Sequence, residues 1–477
     1  MAPAVILRRT LVAAGLAVFL YTLLSSPPEG LSAPGWRTVG VAALMAALWI
    51  SEALPFAVTA LLPLVLFPAA GVGNISASAA PFANPVIFLF LGGIFIAIAM
   101  ERTNLHRRIA LAIIGASGTR KPALVAGFLA ASAFLSMWIN NTAVAVMMLP
   151  IALSVLKLFD AEHDRSFAPA IVLSTAYGAT IGGMATLVGT APNAILAGFM
   201  LENYGIEIGF LDWMLLAAPL SLMVLAATWA ILVWVVFRPG NDPFPGGHEL
   251  IALEARELGP PSRAEKSVAF VFASTAALWV TGGFLEKSAP WLTDTTIAMA
   301  GGLVLFLIPG GGPKNERLLD IRAIQSVPWD VLLLIGGGLS LAAALQTNGV
   351  ATWAGGFASQ AGSLPTFVVI IALVAIIILL TEITSNAATT STFLPIAAAL
   401  ASGFGQSPLF LAAAVTLASS CGFIMPVGTP PNAIAFGSGR VSLQEMMRAG
   451  IWLNIASGII LAVWLTWLAP VFSNLAK

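Results

Sequence analysis

Long apolar stretches separated by short polar or Gly/Pro-rich segments run along the whole chain. Because a membrane-spanning helix needs about 20 apolar residues, the pattern predicts eleven spans. Their approximate limits are 11–26, 37–54, 56–71, 85–100, 167–200, 211–237, 267–284, 295–309, 328–345, 408–436 and 449–470. The run that begins at Leu11 has no clean cleavage site behind it, so we interpret it as the first span and not as a signal peptide.

Two further apolar stretches, 122–156 and 365–400, are too long for one span, and each has a polar centre. The first contains Asn140-Asn141-Thr142 and the second contains Thr384-Ser385-Asn386. A helix that enters the membrane, breaks and returns to the same side explains this pattern, provided that protein or water covers the tip. The predicted fold is therefore an all-α polytopic membrane protein with eleven transmembrane helices and two re-entrant hairpins.

The two halves of the chain repeat the same short segments in the same order. Leu91–Gly93 matches Ile335–Gly337, Thr103-Asn104 matches Thr347-Asn348, Leu149–Ala152 matches Leu394–Ala397, and Gly189–Ile195 matches Gly428–Ile434. Each half holds five spans and one hairpin, and an odd number of spans inverts the second copy in the membrane. Inverted repeats are typical of secondary transporters, whose binding sites lie where the repeats meet.

The repeat divides the chain into four parts. They are a first span in 1–36, a first repeat over 37–237, a cytoplasmic linker over 238–266, and a second repeat over 267–477. Within the repeats we expect hairpins at 122–156 and 365–400 and broken helices at 167–200 and 408–436.

Composition and charge agree with a membrane protein. Hydrophobic residues make up 59% of the 477 and charged residues 9%, against about a quarter charged in soluble domains. Equal numbers of basic and acidic residues, 21 each, give no indication of nucleic-acid binding. With a cytoplasmic N-terminus, 18 of the 21 basic residues fall on the cytoplasmic side, and only Arg37, Lys287 and Lys477 fall outside. This asymmetry predicts a multi-pass protein of the cytoplasmic (inner) membrane in that orientation.

The polar breaks suggest ion and anion binding. Amide and hydroxyl oxygens at the hairpin tips suit a hard cation, and the helix that follows each tip presents an N-terminus that favours an anion. The segments Gly189–Asn193 and Gly428–Asn432 share a Gly-Thr-x-Pro-Asn pattern, and its proline predicts an unwound centre in spans 167–200 and 408–436. Carbonyl oxygens exposed there can coordinate Na⁺, and threonine hydroxyls can contact a substrate.

The scarcity of charge in these segments sets the chemistry. Stretches 122–156, 167–200 and 408–436 contain no charged side chain, and 365–400 contains only Glu382. A bound dianion would need compensation from helix N-termini and co-bound cations, so we predict about two Na⁺ ions as co-substrates. A proton relay would need more intramembrane titratable groups. For Glu382 three roles stay open: proton coupling, a cation partner, or hydrogen bonding to backbone, which we favour.

Three passages resemble the divalent anion–sodium symporter family, often called the INDY type. They are Ser51–Pro63, Thr381–Ile396 and Gly428–Ile434. The resemblance covers nearly the whole chain. It implies a homodimer in which each protomer has a fixed scaffold domain and a moving transport domain, with an elevator motion that carries substrate held between the hairpin tips.

The resemblance also implies the site residues. The first sodium site would use Ser136, Asn140, Asn141 and the region of Gly189, and the second would use Thr381, Thr384, Asn386 and the region of Gly428. Substrate carboxylates would contact Asn141, Thr142, Ser385, Asn386, Thr429 and Pro430. Two positions depart from the family pattern: Asn140 stands where the family has Ser, and Ala387 stands where it often has Thr. Both departures affect the expected identity of the substrate more than the mechanism.

We therefore predict a Na⁺-coupled symporter of C4-dicarboxylates such as succinate, malate or fumarate, and not an enzyme. Alternatives within the same fold are a Na⁺-coupled sulfate or citrate transporter, a dicarboxylate exchanger, and a Na⁺/H⁺ or oxyanion transporter. An intramembrane enzyme would need a catalytic constellation that Glu382 and Cys421 do not supply. The absence of a Gly-x-x-x-x-Gly-Lys-Ser/Thr loop argues against an ATP-driven pump.

Overall fold

The structure is a computed structural model that describes residues 3–158, 164–241, 254, 256–285, 289–310, 316–360, 365–404 and 406–475. Within these ranges the chain is helical, and Pro309 and Arg317 form an isolated antiparallel β-bridge. The predicted all-α class is confirmed. Lys287, Lys477 and residues 242–253 and 255 of the predicted linker 238–266 lie outside the described residues.

Twelve helices form the described first half of the chain. They are α1 (Pro3–Leu24), α2 (Ala33–Ser51), α3 (Phe56–Ala60), α4 (Pro63–Ala69), α5 (Ile75–Ala79), α6 (Pro85–Arg102), α7 (Leu105–Ser117), α8 (Lys121–Ser136), α9 (Asn141–Leu158), α10 (Phe167–Gly183), α11 (Ala191–Tyr204) and α12 (Phe210–Ala230). A 3₁₀ turn over Ala80–Ala83 precedes α6, and a π-helical segment over Ile231–Val236 extends α12.

Ten helices form the described second half. They are α13 (Arg263–Leu285), α14 (Asp294–Val304), α15 (Ile321–Gln325), α16 (Trp329–Thr347), α17 (Val350–Gln360), α18 (Thr366–Thr381), α19 (Asn386–Gly403), α20 (Pro408–Ser419), α21 (Pro430–Gly437) and α22 (Leu443–Leu475).

Several elements differ from the spans that hydropathy predicts. The predicted span 56–71 is two short helices, α3 and α4, and the predicted span 295–309 is helical only to Val304. Helices α7 and α17 were not predicted, because each is shorter than a span and α7 carries Arg107 and Arg108. They follow the Thr103-Asn104 and Thr347-Asn348 turns that the repeat had already marked.

Five helical runs in the described part of the chain are long and apolar enough to cross a membrane. They are Ala33–Ser51, Ile75–Arg102, Phe210–Val236, Trp329–Thr347 and Leu443–Leu468. Six further apolar helices in the described residues are shorter, with 10 to 17 residues each. The total of eleven crossings therefore stays a prediction.

Each half of the chain packs against the other through the repeated glycine pair. Helix α6 contacts α14, and α16 contacts α3. A Cβ added to Gly92 would lie 2.5 Å from the carbonyl carbon of Ala298, and one added to Gly337 would lie 2.6 Å from the Cα atom of Ala60. Small residues permit such close backbone approach between membrane helices. The repeated glycines therefore sit where the two repeats interlock.

The centre of the molecule is formed by the two interrupted helices. Every residue of α10 is buried, and in α20 every residue from Leu409 to Ser419 is buried. A helix that is apolar on all sides is expected to lie inside a bundle. Helix α10 contacts α8, α9 and α21, and α20 contacts α18, α19 and α11. Each interrupted helix thus packs on its own hairpin and on the second segment of the other interrupted helix.

The loop before α10 is held by Asp164. Its carboxylate accepts hydrogen bonds from the Ser166 backbone at 2.9 Å, the Ser166 hydroxyl at 2.6 Å and the Phe167 backbone at 3.1 Å, and it pairs with Lys121 Nζ at 2.8 Å. Burial alone would raise the pKa of Asp164, but the Lys121 ammonium and the Ser166 and Phe167 donors outweigh it and hold the pKa well below its usual range. The ionised form therefore stabilises the N-terminus of α10.

Replacing Asp164 with Asn should destabilise the detergent-solubilised protein by about 1 kcal/mol at pH 7. A carboxyl with a lowered folded pKa stabilises the fold above its unfolded pKa of about 4 and loses that contribution as the pH falls through the folded value. The difference in thermal midpoint between wild type and Asp164→Asn should therefore shrink below about pH 4. Arg165→Gln, a change at an exposed neighbour, is the control. A difference that does not depend on pH would contradict the role given to the charge.

Candidate functional site

The first interruption lies between Gly183, where α10 ends, and Ala191, where α11 begins. Asn193 closes it: its side-chain nitrogen donates to the carbonyl oxygens of Gly183 at 3.1 Å, Met184 at 3.2 Å and Thr186 at 2.7 Å. These carbonyls have lost their helical partners, so the amide replaces the missing hydrogen bonds. The sequence pattern contained Asn193 but did not reveal this role.

The second interruption lies between Ser419 and Pro430, and Asn432 acts there in the same way. Its side-chain nitrogen donates to the carbonyl oxygens of Gly422 and Met425, both at 3.1 Å. The asparagine of the Gly-Thr-x-Pro-Asn pattern is thus a backbone tether in both repeats. Thr429 caps α21 by accepting a hydrogen bond from the Asn432 backbone at 3.3 Å.

Oxygen atoms converge beside the first hairpin tip. One end of the Asn141 side-chain amide lies 2.6 Å from Ser136 Oγ and 3.3 Å from the carbonyl oxygens of Ala179 and Gly189. With the amide nitrogen at this end, the amide donates to three oxygens. With the amide oxygen there, four oxygens face one another, which is the donor set that a hard cation binds. The structure thus places Ser136, Asn141 and the carbonyl oxygen of Gly189 together, and their role as a sodium site stays a prediction.

The Asn141 amide has little room to move. A Cβ added to Gly183 would lie 2.5 Å from Asn141 Oδ1, and the nearest atoms to it all belong to the Asn141 side chain. Gly183 therefore lets α10 approach the tip closely enough for the amide to reach Ala179 and Gly189.

The second hairpin tip shows a related arrangement. Thr381 Oγ1 lies 2.8 Å from Asn386 Oδ1 and 2.6 Å from the carbonyl oxygen of Ser419. These three atoms are also oxygens, and they correspond to a cation-binding donor set. Thr384 is placed differently: its hydroxyl contacts the carbonyl oxygen of Leu380 at 2.8 Å and the hydroxyl of Thr389 at 2.6 Å, within the hairpin.

Glu382 is buried between the second tip and the second interruption, with 4% of its surface exposed. Its carboxylate accepts hydrogen bonds from the backbone nitrogens of Phe423 at 2.8 Å, Ile424 at 3.0 Å and Met425 at 2.9 Å, and from Asn454 Nδ2 at 2.6 Å. Of the three roles considered for Glu382, hydrogen bonding to backbone is the one these contacts show. Asn454, in α22, was not singled out from the sequence.

A cavity of about 620 Å³ lies against both hairpin tips. Its tip-side lining comprises Trp138, Asn140, Thr142, Ala143, Val188, Ser385, Ala387 and Pro430. Three predicted substrate contacts, Thr142, Ser385 and Pro430, thus face one cavity. The other three, Asn141, Asn386 and Thr429, are not among its lining residues.

The opposite wall of the cavity is formed mainly by α6 and α16. It contributes apolar side chains, among them Phe90, Ile94 and Leu334, and two carboxylates, Glu101 and Asp330. Among the described residues, the lining includes no lysine, arginine or histidine. The sequence had indicated the missing cationic groups. It did not indicate the two carboxylates, because only packing brings the end of α6 to the start of α16.

Asn140 distinguishes the two tips. Its side-chain oxygen accepts a hydrogen bond from the Thr142 backbone at 2.8 Å and so caps α9, whereas Ser385 makes no side-chain cap to α19. One N–H group at the first tip is thus bonded by the protein itself. Asn140 lines the cavity, and its side-chain hydrogen bond goes to the Thr142 backbone and not to Ser136 or Asn141.

Broken helices, polar hairpin tips and a shared cavity define an all-helical polytopic membrane transporter. Solved structures of other proteins are similar to this chain in fold only. The YdaH transporter of Alcanivorax borkumensis has a TM-score of 0.62 at 16% identity, and the match covers 92% of this chain and 99% of that one. MtrF of Neisseria gonorrhoeae has a TM-score of 0.59 at 13% identity, covering 97% and 95%.

Residues 8–473 match the family model described as the sodium:sulfate symporter transmembrane region, and the chain belongs to that family. The expected resemblance is confirmed. A sodium-dependent dicarboxylate transporter, SdcS, from Staphylococcus saprophyticus is 38% identical over 468 residues, which cover 96% of this chain and 90% of that protein. SdcS of Staphylococcus aureus strain USA300 is 38% identical over 471 residues, with the same coverage.

The geometry around Asn141 gives a prediction for Gly183→Ala. The added methyl group should displace the Asn141 amide and lower transport by about tenfold or more, since small misplacements in a site carry large penalties. Gly437→Ala is the matched control, because a Cβ there meets nothing within 4 Å. Uptake would be compared in proteoliposomes with equal amounts of each variant. If both variants lose uptake to the same extent, or if neither loses uptake, the result would contradict this arrangement.

Proposed function

We propose that the protein is a secondary transporter that couples the uptake of C4-dicarboxylates, such as succinate, malate and fumarate, to Na⁺. The observation that carries the proposal is the pair of polar hairpin tips that share one cavity without a cationic side chain. The names of the 38% identical relatives, which are sodium-dependent dicarboxylate transporters, support the same assignment.

Charge balance explains the coupling. A dicarboxylate at the tips carries two negative charges, and the cavity offers it only neutral polar groups and the N-termini of α9 and α19, with Glu101 and Asp330 opposed to it. Two Na⁺ ions bound behind the tips would neutralise the anion. The attraction is large in a site of low dielectric constant, so neither partner binds well without the other.

Each repeat supplies one proposed sodium site. The first consists of Ser136, Asn141 and the carbonyls of Ala179 and Gly189, and the second of Thr381, Asn386 and the carbonyl of Ser419. Asn140, Thr384 and Gly428 remain proposed members of these sites. Asn141 and Asn386 begin α9 and α19, so each amide would hold Na⁺ while its helix N-terminus faces the substrate.

The cavity favours an organic dianion as cargo. Phe90, Ile94, Val188 and Leu334 give it apolar walls, which suit the carbon chain between two carboxylates. Sulfate has no such surface and is strongly hydrated. Sulfate stays the second candidate because the family description names it, and citrate and dicarboxylate exchange stay alternatives.

An elevator motion of a homodimer is part of the proposal. The tips and interrupted helices form one wall of the cavity, and α6 and α16 form the other, so sliding of the first against the second would move the site. With the N-terminus in the cytoplasm of an inner membrane, Glu101 and Asp330 lie at the cytoplasmic ends of their helices. The cavity would then open inward.

Uptake of labelled succinate into proteoliposomes, with and without an inward Na⁺ gradient, tests the function directly. Sulfate and citrate would be added as competitors. Uptake that requires Na⁺ and is inhibited only by other dicarboxylates is expected. Uptake that needs internal dicarboxylate and no Na⁺ would indicate an exchanger, and competition by sulfate alone would change the cargo.

Asn141→Ala and Asn386→Ala should each abolish uptake, because each removes an amide from one sodium site. Folding should persist, as judged by size-exclusion chromatography and by an unchanged oligomeric state. Gly437→Ala again serves as the control. Normal uptake by both asparagine variants would refute the proposed sodium sites.

Thr429→Ala should weaken the apparent substrate affinity by about three- to tenfold, the effect of one lost hydrogen bond, and should change the Na⁺ dependence less. The loss would arise because Thr429 caps α21 beside Pro430 in the cavity wall. Substrate titrations at saturating Na⁺ measure it. An unchanged substrate affinity would contradict the assigned role.

A further inference from the structure

The two interruptions differ in how their backbone N–H groups are bonded. Both begin with tight turns: Met184 and Ala185 in the first, and Ser420 and Cys421 in the second, donate to carbonyls three residues earlier at 3.2 and 3.0 Å. In the second, the successive N–H groups of Phe423, Ile424 and Met425 have left the helical pattern and all point at the Glu382 carboxylate. Among the described residues, the second interruption alone receives a side-chain acceptor for these N–H groups, the Glu382 carboxylate.

The repeat shows that Glu382 has no acidic counterpart. The offset that aligns Leu149 with Leu394 places Met137 at the position of Glu382. Met137 contributes only its backbone carbonyl, which accepts a hydrogen bond from the Thr186 hydroxyl. The carboxylate therefore belongs to one repeat and makes the two proposed sodium sites electrostatically unequal.

Glu382 also lies directly beside the second proposed sodium site. It follows Thr381 in the chain, and a Cβ added to Gly428 would lie 3.2 Å from its Oε2 atom. Four donors hold the carboxylate, the three backbone groups and Asn454. The segment is anchored from the other repeat as well, because Tyr177 donates to the Phe423 carbonyl oxygen at 2.9 Å.

From this geometry we propose that Glu382 is a positioning residue that holds the second interruption open and makes the second sodium site the tighter of the two. Its oxygens bond the N–H groups of the interruption, which leaves the nearby oxygens of Thr381, Asn386 and Ser419 to face a cation. Its negative charge attracts Na⁺, and the stretches 365–400 and 408–436 that form this site contain no other charged side chain. The inference rests on the proposed Na⁺ coupling and assigns an order to it.

The test separates the charge of Glu382 from its hydrogen bonds. Glu382→Gln keeps the size and removes the charge, Glu382→Asp keeps the charge, and Asn454→Ala removes one donor while the carboxylate remains. Two readouts are compared: thermal stabilisation of the purified protein by NaCl, with choline chloride as reference, and the Na⁺ dependence of succinate uptake.

We expect Glu382→Gln to raise, by about tenfold, the Na⁺ concentration that gives half-maximal thermal stabilisation and half-maximal succinate uptake. The reason is that the substitution removes a negative charge that attracts Na⁺. Glu382→Asp and Asn454→Ala should change this concentration less than about threefold, and succinate affinity at saturating Na⁺ should stay within about twofold of wild type. If Glu382→Gln behaves like Asn454→Ala, the charge has no role in Na⁺ binding and the proposal is wrong.

A second pair of variants tests the order of affinities without changing Glu382. Thr381→Ala affects the second site and Ser136→Ala affects the first. Stabilisation by low concentrations of NaCl should be lost in Thr381→Ala and retained in Ser136→Ala. Equal behaviour, or the reverse order, would overturn the inference. A wild-type protein whose thermal stability and succinate uptake both fail to respond to Na⁺ would instead refute the proposed function.

Discussion

A helix that is interrupted inside a membrane exposes backbone groups that only the protein, or an ion, can satisfy. The architecture described here follows from that constraint. Asn193 and Asn432 bond the free carbonyls of the two interruptions, and Glu382 bonds the free N–H groups of the second. With these groups bonded, the remaining oxygens at the hairpin tips are available for a cation, and the helix N-termini for an anion.

The same constraint explains how a transporter for a doubly charged anion can do without a basic side chain at its site. A buried arginine would carry its own desolvation penalty and would bind the anion in the absence of Na⁺. Neutral oxygens and helix N-termini bind both ions weakly by themselves. In the proposed mechanism the mutual attraction of anion and Na⁺ provides the remaining affinity, and this dependence is what couples the two fluxes.

Symmetry and its exceptions have different roles. The glycine pairs of α6 and α16 interlock the repeats through equivalent contacts with α14 and α3. The two repeats differ at the site. Asn140 caps α9, whereas Ser385 does not cap α19. Glu382 of the second repeat corresponds to Met137 of the first. Two equivalent frameworks therefore present unequal surfaces to the ligands, which suits a site that binds cations and an anion in a defined arrangement.

The sequence alone determined the helical class, the repeat and most of the polar tip residues, because hydropathy and Gly/Pro/Asn patterns are local properties. It missed α7 and α17, which are too short for a span, and it did not reveal the partners of Asn193, Asn432 and Glu382. The partners of Asn193 and Asn432 lie in the same interrupted helix, on backbone that has left the helical pattern. Those of Glu382 lie in other elements, as do the opposed carboxylates Glu101 and Asp330. Only tertiary packing brings such groups together, because hydrogen bonding and burial depend on distances in space that residue order does not specify.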